Sequence, residues 1–150
     1  VAYFVGKAGQ EQIVNTITQR LRQFQFEVVT TAWSKLVLMD SPGILAPVVR
    51  TGRYRSNWAL GVGSPNLSQP GQAGTPGAPT PAPTTPPHLP AMDLGQIVYL
   101  TNSLPYSQAI EAGKSPKAPQ GVVGPVVADL GTSIGPIVQA IQASPTQAAA

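Results

Sequence analysis

The sequence contains no cysteine, which excludes a disulfide framework, a thiolate nucleophile and any cysteine-based zinc site. Histidine occurs once, at His88, and one imidazole cannot build a histidine metal cluster. Charge is equally scarce. Only 10% of the 150 residues are Asp, Glu, Lys or Arg, against roughly 25% in an ordinary soluble protein. So few ionised groups leave little to solvate the surface of an isolated monomer, and favour a subunit buried among neighbours. The net charge of +3 is far from the dense Lys/Arg clusters of dedicated nucleic-acid binders, and allows only weak attraction to phosphate.

The six carboxylates (Glu11, Glu27, Asp40, Asp93, Glu111 and Asp129) are scattered singly, so none forms an acid/base couple by sequence. Two short motifs fail on their chemistry. "GTSIG", 131–135, has the G-x-S-x-G form of a nucleophile elbow, but no Asp, Glu or His follows Ser133 to serve as acid or base. "GKS", 113–115, lacks the earlier glycine of a phosphate loop, since Gln108 stands there. The sequon "NLS", 66–68, carries little weight without a secretory signal, and "VAYFVGKAG" at the start does not read as one; Val1 fits removal of an initiator Met. From Gly121 to Ala150 the chain is apolar with one charge, Asp129, but Pro125, Pro136 and Pro145 interrupt it, whereas a membrane span needs roughly 20 mainly apolar residues. The expectation is a non-enzyme with no cofactor, no metal, no catalytic residue and no membrane partner.

What is present reads as one α+β domain, 1–150. Ile13, Ile17, Leu21, Phe24, Val28, Ala32 and Leu36 recur at threes and fours, which predicts a long helix from about Ala8 to Met39. "VVTT", 28–31, lowers helix propensity and marks a potential bend, and "DSPG", 40–43, stops the helix. Tyr54, Ser56, Trp58 and Leu60 alternate with Arg53, Arg55, Asn57 and Ala59, which predicts a strand with both arginines on one face and Tyr54 and Trp58 packing on the first helix. "GQIVYLTN", 95–102, predicts a second strand, antiparallel to the first. The intervening 64–91 holds 9 of the 17 prolines and no formal charge; it reads as a long Pro-rich hairpin insertion, flexible unless a partner orders it. A short helix over 104–113 is opened by Pro105 and ended by Gly113. A closing helix carries Val122, Val126, Leu130, Ile134, Ile137 and Ile141, with a kink or break at Pro136, before a loose tail over 144–150. The two long helices are expected to pack on the small antiparallel sheet.

Two stretches carry a resemblance. "APVVRTGRYRSNW", 46–58, resembles the signature P-V-D-T-G-R-L-R-x-x-W, and "IVYLTNSLPYSQAIEAGKSPKAPQGVVGPVVADL", 97–130, resembles I-x-N-x-L-P-Y-A-x-x-I-E-x-G-x-S-x-Q-A-P-x-G-M-V. Both belong to the tail-completion, or neck, proteins of tailed bacteriophages. The chain departs from the pattern at Arg50, Ala112 and Lys117 and in its long proline insertion. The resemblance implies a structural virion protein forming a homo-oligomeric ring at the head–tail junction, assembled in the host cytoplasm. Its partners would be further copies of itself, other neck, connector and tail proteins, and the genomic DNA passing through. It assigns motif or interface positions to Thr51, Gly52, Arg53, Trp58, Asn102, Pro105, Tyr106, Glu111 and Gly113; an ion pair of Glu111 with an arginine such as Arg53 is a separate expectation, for charge reversal at one position and then both to test. Arg53 and Arg55 are the candidates for contact with DNA in the channel, beside the plainer reading of a solvated or subunit-facing strand edge. A tail terminator or tail-tube component, and a small basic DNA-binding protein, are the alternatives.

Overall fold

The computed structural model describes residues 6–84 and 92–144. His88 and the ends of the proline segment and of the C-terminal tail, 85–91 and 145–150, lie outside the described residues. The fold is mixed α+β: helix α1 (Lys7–Leu38), a short 3-10 turn (Arg55–Asn57), strands β1 (Ala59–Val62) and β2 (Val98–Thr101), helix α2 (Ser107–Glu111) and helix α3 (Val123–Ala143).

α1 runs unbroken through the β-branched 28–31, where the Thr30 hydroxyl donates back to the Phe26 carbonyl at 3.0 Å. It stops at Met39, a left-handed residue with φ 53° whose N–H caps the Lys35 carbonyl, one residue before the turn that the sequence predicts. The buried residues of α1 are Trp33, Leu36 and Val37. The periodic apolar face read from Ile13 onward is therefore a core face only near its end, because the rest of the fold gathers around the last turns of the helix. Trp33, Leu36, Val37 and Met39 meet Tyr54, Trp58, Ile110, Ala118, Val122 and Val126 there, with Leu100 packed against them. α1 and α3 are the principal helix pair, and the two helices pack more on each other than on the sheet.

β1 and β2 pair antiparallel with Ala59 opposite Thr101 and Val62 opposite Val98. The first strand is shorter than its alternation predicts. Residues 52–57 coil instead: the Ser56 N–H donates to the Gly52 carbonyl at 3.2 Å, and the Asn57 N–H to that of Tyr54 at 3.2 Å. The Asn57 side-chain amide donates to the Arg53 carbonyl at 2.6 Å. Polar side chains that bond their own backbone favour such turns over a ladder. Arg53 and Arg55 consequently do not share a strand face. Tyr54 and Trp58 are both buried, edge to face with ring centroids 5.8 Å apart, and belong to the cluster that includes Trp33 of α1.

α2 is confined to Ser107–Glu111, and α3 is continuous past Pro136. Pro136 is exposed, so water can serve the carbonyl that loses its helical partner. An ion pair fastens α3 to α1: Lys35 Nζ lies 2.6 Å from Asp129 Oδ2, and the buried Ser41 hydroxyl donates to the same oxygen at 2.9 Å. These hydrogen bonds hold the Asp129 carboxyl below its ordinary value. A depressed carboxylate stabilises the fold above its unfolded pKa and ceases to as pH falls through its folded one. Urea midpoints of the wild type are therefore expected to decline as pH drops below about 4. Asp129→Asn should start lower at neutral pH and show a shallower decline; an unchanged acid limb would contradict this role.

Candidate functional site

The two motif stretches meet at a groove of about 580 Å³. Its walls are Val48, Arg50, Thr51, Gly52, Arg53 and Tyr54 from the loop before the 3-10 turn, Ala73 and Pro76 from the proline segment, and Tyr106 and Ile110 at α2. Of the positions that the sequence singles out, Thr51, Gly52, Arg53 and Tyr106 line it. Two arginines, Arg50 and Arg53, line this groove, and no Asp or Glu does. Arg50 has no hydrogen bond or ion pair among the described residues, whereas Arg53 donates to the Gln69 side-chain carbonyl at 3.3 Å. Burial raises the Tyr106 phenol above its ordinary pKa, partly offset by the positive charge of Arg53.

Gly52 is buried with φ +77°, and a Cβ there would lie 2.7 Å from the Thr80 nitrogen. That close approach lets the proline segment dock. Gly74 N–H and Thr80 N–H both donate to the Thr51 carbonyl, at 2.8 and 3.0 Å. Asn57 completes the seam through its side chain, which donates to the Gly71 carbonyl at 3.1 Å and accepts from the Gly71 N–H at 3.0 Å. Arg55 donates to the Thr80 carbonyl through Nε at 3.1 Å and also through its terminal nitrogen. Residues 71–80 are thus held by their own chain, which the composition alone does not predict, and Arg55 is engaged in holding them.

Behind the groove lies a second cluster. Glu111 does not pair with Arg53. Its carboxylate accepts the Tyr54 hydroxyl at 2.8 Å and the N–H groups of Val122 and Val123 at 3.1 and 3.0 Å, so it caps the first turn of α3. The reason is positional: α2 and the 114–121 loop return the chain so that the positive end of α3 faces Glu111. Burial, and then the Glu111 hydrogen bond, push the Tyr54 phenol far above its ordinary value, so it stays a neutral donor.

The remaining motif positions are structural. Asn102 donates to the Tyr54 carbonyl at 2.9 Å, tying the end of β2 to the groove loop. Trp58 is core, Pro105 is exposed just before α2, and Gly113 (φ +75°) ends α2. Among the described residues no group of His, Asp or Glu could hold a metal ion, and no helix is long and apolar enough to cross a membrane. Sequence reasoning missed the Lys35–Asp129–Ser41 and Tyr54–Glu111 clusters, whose members are far apart in the chain and carry no local signature. Compared with protein-family models, curated proteins and solved structures, the chain shows no significant match.

Proposed function

We propose that this chain is a non-enzymatic structural subunit of a phage neck, assembling into a homo-oligomeric ring that joins the tail to the DNA-filled head and surrounds the DNA channel. The observation that carries the reading is the convergence of both signature-like stretches on one groove, where Thr51, Gly52 and Arg53 of the first face Tyr106 of the second. Four of the positions that the signatures single out are thereby brought together at one groove. Low charge and exposed apolar side chains on α1 and α3 support burial among neighbours.

In this reading 64–91 is a long Pro-rich hairpin arm between the paired strands. Its inner edge is bonded to residues 51–57, and its outer prolines lie across an adjacent subunit or another neck protein; a restricted polyproline backbone loses little entropy on docking. Arg50 joins Arg53 as a candidate for contact with DNA, in place of Arg55, whose guanidinium holds the arm. The test is co-sedimentation of the purified chain with DNA-filled tailless heads and with free tails. Saturable attachment to either is expected, attachment to tails alone favouring a tail terminator. Indifference to both, with steeply salt-dependent DNA affinity, would replace this reading with a small basic DNA-binding protein.

A further inference from the structure

α1 extends beyond the described residues that pack against it. α3 reaches its described end at Ser144, whose carbonyl accepts from Arg20 at 2.9 Å, and residues 7–19 extend past that point by about 20 Å of helix. The projecting turns carry an apolar stripe that Leu21 continues toward α3. Ile13, Val14, Ile17 and Leu21 stay 51, 60, 54 and 49% exposed, all within roughly 100° around the helix, and no residue from Gln12 to Gln19 is charged.

α3 carries a second open face. Val123, Val127 and Ile134 are 39, 62 and 41% exposed and share an arc of roughly 40°. Its only charged residue, Asp129, is engaged with Lys35. Beside these three lie Gly124, Gly131 and Gly135, where an added Cβ would meet nothing. Glycine is the poorest helix former after proline, and no described neighbour within the chain requires a missing Cβ at these positions.

We infer that the projecting turns of α1 pack against the α3 face of a second copy of this chain. The contact is heterologous, and repetition of it around an axis closes a ring. Three observations select this occupant. The α1 stripe continues the seam on which the chain's own α3 already lies, since Leu21 adjoins Val138 and Ile141 at the end of that seam, so another α3 is a matching cover. Neither face presents an unpaired ionised group that would call for a charged partner. The areas also fit: at these exposures the two stripes offer roughly 350 and 230 Å² of apolar surface, a little over half of the ~1,000 Å² of a specific contact, which is about the apolar share of an ordinary interface. This inference rests on the ring reading above and names the surfaces that build the ring.

The lack of native cysteine permits a direct test on the full chain. Ile17→Cys and Val127→Cys are prepared as separate chains, mixed in equal amounts and oxidised, so that any cross-link joins two molecules. The expected product is the mixed disulfide dimer, at several-fold excess over either self-pair. A dominant Ile17→Cys self-pair would mean that two α1 stripes face each other and would overturn the inference. Absence of cross-links in a preparation that still forms rings would overturn these surfaces and leave the ring reading standing; a persistent monomer would overturn both. Gly131→Leu is the companion variant, because its side chain enters open space in the monomer. Helix content by circular dichroism should be unchanged while mass shifts from ring to monomer, and an intact ring would count against the inference.

Discussion

Glu111→Ala is expected to lower stability by about 3 kcal/mol. The carboxylate accepts three donors, the Tyr54 hydroxyl and the Val122 and Val123 N–H groups. Tyr54 and Val122 are buried, so their donors have little recourse to water once the acceptor is gone. The substitution also removes a negative charge from the positive end of α3. Glu111→Gln retains one acceptor oxygen and should cost about half as much, roughly 1.5 kcal/mol. Tyr54→Phe removes one hydrogen bond from a side chain whose ring packing persists, for about 1 kcal/mol. Combining Tyr54→Phe with Glu111→Ala should cost less than the sum of the two, since both remove the same bond. Urea unfolding of the four chains measures this. Strict additivity would contradict the shared network.

Gly52→Ala is the second large effect, also about 3 kcal/mol, from two sources that add. The backbone at φ +77° disfavours any Cβ, a strain of roughly 1–2 kcal/mol. The new methyl would further press on the backbone at Thr80, displacing the segment that the Thr51 carbonyl, Asn57 and Arg55 hold in place. Gly63→Ala is the control, because its φ is similar at +75° but a Cβ there meets nothing; its loss should stay near 1 kcal/mol. Limited proteolysis distinguishes the two further. Cleavage within 66–80 should accelerate for Gly52→Ala and not for Gly63→Ala. Equal losses and equal cleavage would show that the close approach of Thr80 does not hold the arm.

These two residues also mark how far the sequence can be read. α1 and α3 are legible because each is long and its apolar spacing repeats, and Pro105 and Gly113 bracket the short α2 by rules that act within a few residues. Arg53 to Leu60 misled because alternation is only a necessary sign of a strand. Ser56 and Asn57 turn the backbone through their own side chains, and Gly52 permits the coil that precedes them. Which turns of α1 are buried is not legible, for a different reason. Periodicity reports that one face is apolar, but which turns are covered depends on where α3 stops, and a tertiary boundary leaves no mark on Ile13 or Ile17. Glu111 was legible as a member of a motif and not as a cap, since its partners lie on another helix and in the groove loop. The proline segment could not be placed from composition either, because its docking uses backbone groups at Gly71, Gly74 and Thr80 that are common to every residue.

The most direct measurement is electron microscopy of the purified full chain, with its mass in solution determined in parallel by light scattering. The expected result is a closed ring of a single stoichiometry, with an axial opening wide enough for duplex DNA. A chain that remains monomeric across the accessible concentration range, alone and in the presence of tails and DNA-filled heads, would contradict the account.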